Sequence, residues 1–180
     1  MKTIRHKHLS HQINSETEIL IIGTFNPDTE KNPADFFYGR NKNFLWRLLP
    51  SAFKDNDLKG KTKAEKVDFI TKHNIDFIDL IQEVIIDEGN EANYEDAYLD
   101  SRVSTWKDVL SVLKKLKKLK KVCFTRKSFS GIPQMKTRIE QIKSYCDENN
   151  IQFEYLITPA RFYRADKQQE WTSFFTGIKV

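Results

Sequence analysis

The feature that most constrains the fold is a series of four apolar runs, each short enough for a strand. They lie at residues 19–22, 75–81, 122–124 and 151–157. The first run, Ile-Leu-Ile-Ile, is continuously apolar instead of alternating, which is typical of a strand buried on both faces. Helical patterns separate the runs, and parallel neighbouring strands need such crossover connections. The sequence therefore predicts an α/β fold, a three-layer α/β/α sandwich with a central four-stranded parallel sheet.

Helix signals fill the intervals between these runs. A helix is predicted over residues 43–53, and a capping box at Thr62 starts a second one that ends near Asn74. A similar box at Thr105 predicts a third helix, Pro133 suits the first turn of a fourth, and a short fifth helix ends the chain. Apolar residues at helical spacing in the last three are Val109, Val112, Leu113, Leu116, Leu119, Met135, Ile139, Ile142, Cys146, Trp171, Phe174 and Phe175.

Composition narrows the class of protein. The 180 residues suit one domain over 1–180, and the net charge of +5 with a pI near 9.1 favours a polyanionic partner. Segment 1–14 is basic with three histidines but no cysteine or carboxylate, so we expect an exposed arm without a metal. Cys123 and Cys146 are predicted to be buried thiols, and no run suits a membrane span or signal peptide, which favours the cytoplasm. The acidic segment 87–100 is expected to be a surface excursion.

Three polar turns follow predicted strands. They are residues 23–27, 125–128 and 158–164. In open parallel sheets, ligands bind beyond the carboxyl ends of the strands. We therefore expect the turns to converge on one cleft, in which Asn26, Tyr38 and Arg161 share a site although they are far apart in sequence.

The residue types in these turns suit a planar ligand on a phosphate backbone. The amide of Asn26 can donate and accept hydrogen bonds but is no strong base, so its role would be positioning. Phe25, Phe37 and Tyr38 offer flat faces. The segment 161–164 reads Arg-Phe-Tyr-Arg, an aromatic wedge between two groups that pair with phosphate. A nucleobase flipped out of a duplex fits this combination.

Several motifs together resemble the uracil-DNA glycosylase superfamily. GTFNP at 23–27 looks like its first motif, and TPARFYR at 158–164 falls where its second, DNA-inserting motif lies. YGRNKNFLWRLL at 38–49 is similar to the aromatic turn and helix of the mismatch-specific uracil and hypoxanthine-DNA glycosylase branches. IDFIDLI and VCFTRKSF follow in the order of its second and third strands, so the resemblance spans about residues 15–176.

The resemblance implies roles for individual residues. Asn26 would orient the attacking water, with Asn43 as a second catalytic candidate. Gly23, Thr24, Phe25, Tyr38 and Thr125 would bind the substrate base, Tyr38 by stacking and Thr125 at the base-reading wall. Thr158, Pro159, Arg161, Phe162, Tyr163 and Arg164 would contact DNA, with Phe162 and also Tyr163 as candidates to fill the gap in the duplex.

The implied reaction is hydrolysis of the N-glycosidic bond of uracil, hypoxanthine or xanthine in base excision repair. It needs no cofactor, and because no motif positions a lysine as nucleophile, we expect a monofunctional enzyme acting on DNA as a monomer. Three departures stand out: Asp28 replaces a common glycine, Ala160 replaces a usual serine, and the second motif lacks a histidine. Loss of that histidine removes one way of stabilising the base anion.

Other interpretations of the sequence are also possible for the function and for individual motifs. The chain could be a nucleic-acid binder that lost turnover, or a hydrolase of free nucleosides or nucleotides, and Asn26-Pro27 could be a simple turn. Residues 113–122 predict an amphipathic helix with a solvated basic face, with DNA contact as the alternative. Asp76 and Asp79 would lie on opposite strand faces, although Asp79 could order a water. Expected to pack in the core are Phe36, Phe37, Phe44 and Trp46.

Overall fold

The computed structural model describes residues 1–178. Its central sheet contains β2 (Ile19–Gly23), β3 (Ile75–Asp79), β6 (Lys121–Phe124) and β7 (Gln152–Tyr155), in the order β3-β2-β6-β7. All three neighbouring pairs are parallel. The predicted four-stranded parallel sheet with helices on its faces is therefore confirmed.

The helices are α1 (Leu45–Ala52), α2 (Lys63–Lys72), α3 (Asp96–Asp100), α4 (Val109–Lys115), α5 (Pro133–Glu148) and α6 (Ala165–Thr176). The capping box at the start of α2 is present, since Thr62 and Glu65 satisfy each other's backbone N–H groups. Pro133 occupies the first turn of α5, where its missing N–H costs nothing. No helix within residues 1–178 is both long enough and apolar enough to cross a membrane.

A second sheet was not predicted. Strands β1 (Lys2–Arg5), β4 (Ile81–Ile86) and β5 (Val103–Trp106) form it in the antiparallel order β1-β4-β5. The predicted single strand over 75–81 is interrupted at Leu80, so that its last residue begins β4. The third helix does not start at Thr105, which lies in β5; Asp108 caps it by accepting from the backbone N–H of Ser111.

The expectation of an exposed N-terminal arm is also wrong. Residues 2–5 pair with β4, and His6 is only 6% exposed. His11 contacts the carboxylate of Asp76, whose second oxygen accepts from the backbone N–H of Asn14. The segment is held because its histidines reach buried carboxylates on β3.

The two faces of the parallel sheet bury separate cores. In β2, Ile19 and Ile21 face a cluster formed with α1, α2 and α6, whereas Leu20 and Ile22 face α4, α5 and the antiparallel sheet. This alternation follows from the period of two along a strand. The expected core residues Phe36, Phe37 and Trp46 are buried, and Phe44 packs against the same cluster half-buried.

Candidate active site

The three strand-end turns do converge. A cleft of about 830 Å³ opens at the carboxyl ends of the parallel strands. It is lined from the predicted turns by residues 24–26, 125–128, 158 and 160–161, by Ile157 at the end of the last predicted strand, and by Tyr38 to Arg40, Lys42 and Asn43 of the aromatic turn. Ligand pockets typically measure roughly 300–1,000 Å³, so the cleft is large enough for a nucleoside-sized group. Asn26, Tyr38 and Arg161 share it, as expected from the topology.

Asn26 is 5% exposed and lines this cleft. Its Oδ1 accepts a hydrogen bond of 2.6 Å from the side-chain amide of Asn32. Its Nδ2 is buried and has no hydrogen-bond partner within residues 1–178. A buried donor without a partner is costly, which is why such an atom beside a cavity points to a ligand or a water as its partner.

Tyr38 lies across the floor of the cleft. Its φ of +55° is in the left-handed region that larger residues rarely adopt, and such strain is concentrated at functional sites. The hydroxyl is 3.1 Å from Oγ1 of Thr125, and the ring packs on Phe77. Burial raises the pKa of Tyr38 well above its usual value, so the hydroxyl stays protonated.

Gly23 permits this arrangement because it has no side chain. A Cβ at this position would lie 2.2 Å from Oδ1 of Asp79 and 2.7 Å from the Tyr38 hydroxyl oxygen. Gly23 therefore leaves room for both side chains at the floor of the cleft because it has no Cβ. Thr24 and Phe25 follow it into the cleft lining, although Phe25 is only 8% exposed and contributes mainly to the core.

Asp79 supplies a buried carboxylate at the floor of the cleft, and a histidine of the N-terminal segment contacts it. Its Oδ2 is 2.7 Å from Nε2 of His6, and the two side chains are 8% and 6% exposed. Nδ1 of His6 accepts from the backbone N–H of His8, so the proton lies on Nε2 and is donated to Asp79. The sequence suggested Asp79 as a water-ordering residue but gave no sign of His6, which lies 73 positions away.

His8 extends this cluster. Burial, with a smaller effect of the neighbouring His6, lowers the pKa of His8 to about 4. Its Nε2 is buried without a hydrogen-bond partner within the described chain. Both observations indicate that His8 is neutral near physiological pH. No cluster of three or more histidine, cysteine or carboxylate side chains with metal-binding geometry occurs within residues 1–178.

Asn43, the second catalytic candidate, uses its side-chain oxygen in a structural hydrogen bond. Its Oδ1 accepts from the backbone N–H of Leu45 at 2.9 Å, which satisfies a free donor at the start of α1. It also lines the cleft and forms an isolated antiparallel bridge with Ala160. Asn43 therefore joins the aromatic turn to the second predicted motif.

That second motif is held by backbone and lysine contacts. The carbonyl of Pro159 accepts from the N–H of Phe44, and the N–H of Arg161 donates to the carbonyl of Lys42. Lys167, which is 4% exposed, donates through Nζ to the carbonyls of Ala160 and Phe162. Burial lowers the pKa of Lys167. The residue was not anticipated, because a lysine in a polar helix gives no sequence signal of burial.

The predicted wedge divides into exposed and buried parts. Phe162 is 67% exposed, which is unusual for a phenylalanine, whereas Tyr163 is half-buried against Phe44 and Arg47. Arg161 is exposed and lines the cleft with a φ of +74°. Arg164 forms an ion pair with Asp166 at the start of α6 and does not line the cleft. Thr158 lines the cleft and accepts from the N–H of Ala160.

A further wall comes from the acidic segment, which is more than a surface excursion. Residues 94–97 line the cleft, with the guanidinium of Arg40 stacked 3.9 Å from the ring centre of Tyr94. Arg126 pairs with Asp96, and both residues line the cleft. The basic stretch 113–122 lies elsewhere, because it precedes β6 at the amino ends of the strands, where Lys118 and Lys120 pair with glutamates.

The charge of the cleft lining is positive on balance. Five cationic side chains line it against three carboxylates. The cations are Arg40, Lys42, Arg126, Lys127 and Arg161. Lys42 and Arg161 form no salt bridge within residues 1–178, so they are available to an anionic ligand.

Comparison with known proteins supports the fold. Neither a scan against protein-family models nor a search of curated proteins found a match. A search of solved structures found the solution NMR structure of a candidate uracil DNA glycosylase from Methanosarcina acetivorans. The identity is 19%, the match covers 92% of each chain, and the TM-score is 0.63. The two proteins share a fold.

Proposed function

We propose that this chain is a monofunctional DNA glycosylase of the uracil-DNA glycosylase superfamily that removes a deaminated base during base excision repair. The observation that carries the proposal is the cleft itself. Asn26, Tyr38 and Thr125 line one cavity at the carboxyl ends of the strands, and an exposed Phe162 lies beside it in the loop bearing Arg161. The neighbouring fold belongs to a candidate uracil DNA glycosylase, which supports this reaction class.

The chemistry follows from where charge develops during hydrolysis. Cleavage of an N-glycosidic bond leaves positive charge on the sugar and negative charge on the departing base. Asn26 and Asp79 both line the cleft; Asn26 has a buried side-chain N–H group without a partner in the described residues, and Asp79 has a carboxylate. A preorganised donor and anion in a water-excluding site can stabilise both charges without reorganisation. Tyr38 would hold the base, with Thr125 fixing its hydroxyl.

The proposal that the protein binds DNA is based on the residues at the rim of the cleft. Flipping a nucleotide requires a side chain that replaces it in the stack and cations that hold the backbone. Phe162 is exposed and its loop is fixed by Lys167, which suits insertion, and Arg161 and Lys42 could pair with phosphates. Tyr163 is committed to packing, so Phe162 alone is proposed as the wedge.

The test is a panel of labelled oligonucleotides, single- and double-stranded, carrying uracil, hypoxanthine, xanthine or a G·T mismatch. After incubation, alkali converts abasic sites to strand breaks. We expect breaks with at least one base, lost in Asn26→Ala. Asn43→Ala should retain turnover at reduced stability because its amide serves the helix start. Intact strands with salt-sensitive binding would instead favour the non-catalytic binder.

Two further measurements separate the remaining alternatives. A hydrolase of free nucleosides would act on the monomers and would be indifferent to Phe162→Ala. A bifunctional enzyme would form a covalent adduct that borohydride traps, and we expect none. Lys42 lines the cleft and is the residue to replace should an adduct appear.

A further inference from the structure

The orientation of the Asn32 amide can be deduced from its backbone partners. Its Oδ1 accepts from the N–H of Ala34 at 3.3 Å, and a backbone N–H can only donate. Its Nδ2 is 2.8 Å from the carbonyl of Pro27, which can only accept. These two contacts fix which end of the Asn32 amide is oxygen and which is nitrogen.

The orientation of Asn32 determines that of Asn26. Nδ2 of Asn32 also lies 2.6 Å from the Asn26 side chain, and because this nitrogen is a donor, the facing atom must be the acceptor Oδ1. Nδ2 of Asn26 is then the atom left without a partner in the described chain. Turning the Asn26 amide over would place its N–H group against the N–H group of Asn32, so the contact with Asn32 holds the orientation.

We propose that Asn32 is a positioning residue that locks Asn26 with its N–H group toward the ligand. The inference rests on the proposed function and deepens it. Asn26 then binds a lone pair, the carbonyl oxygen or ring nitrogen of the departing base, and stabilises the negative charge that develops there. This differs from orienting the attacking water as an acceptor, because the amide oxygen that would accept from water is already bonded to Asn32.

The discriminating variant is Asn26→Asp. An aspartate has the same shape, keeps an oxygen that accepts from Asn32, and changes the free N–H group into an anionic oxygen. The lock predicts that single-turnover base release falls by about 100-fold or more, the usual loss on removing one such donor. If Asn26 orients water as an acceptor, the carboxylate would keep or raise the rate, and that result would overturn the proposal.

Asn32→Asp tests the lock from the other side. Its carboxylate can donate neither to Pro27 nor to Asn26, so the Asn26 amide is expected to turn its nitrogen toward position 32 and its oxygen toward the cleft. Base release should fall as in Asn26→Asp. Asn41→Asp is the matched control, since it adds the same charge to an exposed site in the same loop and does not line the cleft. A rate unchanged in Asn32→Asp contradicts the lock.

A second readout does not depend on turnover. Both Nδ2 protons of Asn32 have acceptors, so they should exchange slowly with solvent in amide NMR spectra and lose this protection in Asn26→Ala. The exposed Asn41 amide gives the fast reference. Fast exchange at Asn32 in the wild type would refute the lock, even if Asn32→Asp failed to fold. Absence of base release by the wild type with slow Asn32 exchange would refute the proposed function and leave the amide lock standing.

Discussion

Replacing His6 by leucine should destabilise the protein far more than an ordinary buried substitution. Leucine fits the apolar surroundings of His6, whose ring lies 5.9 Å from that of Phe25 and 5.7 Å from that of Phe37. It cannot donate a hydrogen bond. The carboxylate of Asp79 would therefore remain 92% buried with no partner for Oδ2, since its hydrogen bond of 2.7 Å comes from Nε2 of His6.

The size of this loss in the free energy of unfolding depends on the charge, because a buried charge left without a partner costs more than a lost hydrogen bond. His6 is a neutral donor, but its loss leaves the buried Asp79 carboxylate uncompensated, and leaving a buried charge in that state costs about 3–5 kcal/mol when an ion pair is broken. Asp79→Asn removes the charge but keeps an oxygen that accepts from His6, so it should stay within about 1 kcal/mol of the wild type. The double variant of His6→Leu with Asp79→Asn should be more stable than His6→Leu alone, because the stranded charge is gone.

Urea unfolding at neutral pH measures these differences, provided that the slope of free energy against urea is the same in all four proteins. A loss below about 1 kcal/mol in His6→Leu would refute the reasoning, because it lies within the range of ordinary substitutions. So would an Asp79→Asn variant as unstable as His6→Leu, since the bond and not the charge would then account for the effect.

Three further predictions concern the floor, the histidine cluster and the wedge. Gly23→Ala should cost about 1–3 kcal/mol in urea unfolding, because the new methyl group overlaps the Asp79 carboxylate and the Tyr38 hydroxyl; wild-type stability would contradict the close approach. The pKa of His8 is lowered to about 4, so the unfolded chain binds a proton that the folded chain does not as pH falls from about 6.5 to about 4, and stability should fall there. His8→Asn should weaken that dependence, and an unchanged profile would exclude His8 as its source. Phe162→Ala should leave stability within about 0.5 kcal/mol yet slow base release from duplex more than from single-stranded DNA; equal slowing would argue against insertion.

The sequence was informative where a structural rule links local pattern to long-range position. Continuous apolar runs predicted the parallel strands, and the rule that ligands bind beyond their carboxyl ends predicted that Asn26 and Arg161 would meet. Thr125 reached the same cleft because it follows β6 directly. These residues were found without any contact information.

The remaining elements lacked such a pattern. β1 is only four residues long with one buried side chain, Ile4, so it gave no periodicity to detect. The contacts of His6 with Asp79, and of Asn32 with Asn26, join irregular segments through polar atoms, and polar side chains are ordinarily read as exposed. Lys167 is buried because two backbone carbonyls surround its ammonium group, which only the folded loop provides.

The most direct test of the central claim is to measure free base released from duplex DNA under single-turnover conditions, with chromatographic identification of the product. We expect uracil, hypoxanthine or xanthine to appear in equal amount with abasic sites, and release to be lost in Asn26→Ala. Tight, salt-sensitive binding of the same duplexes without any released base would contradict the account, because the cleft would then hold DNA without cleaving the glycosidic bond.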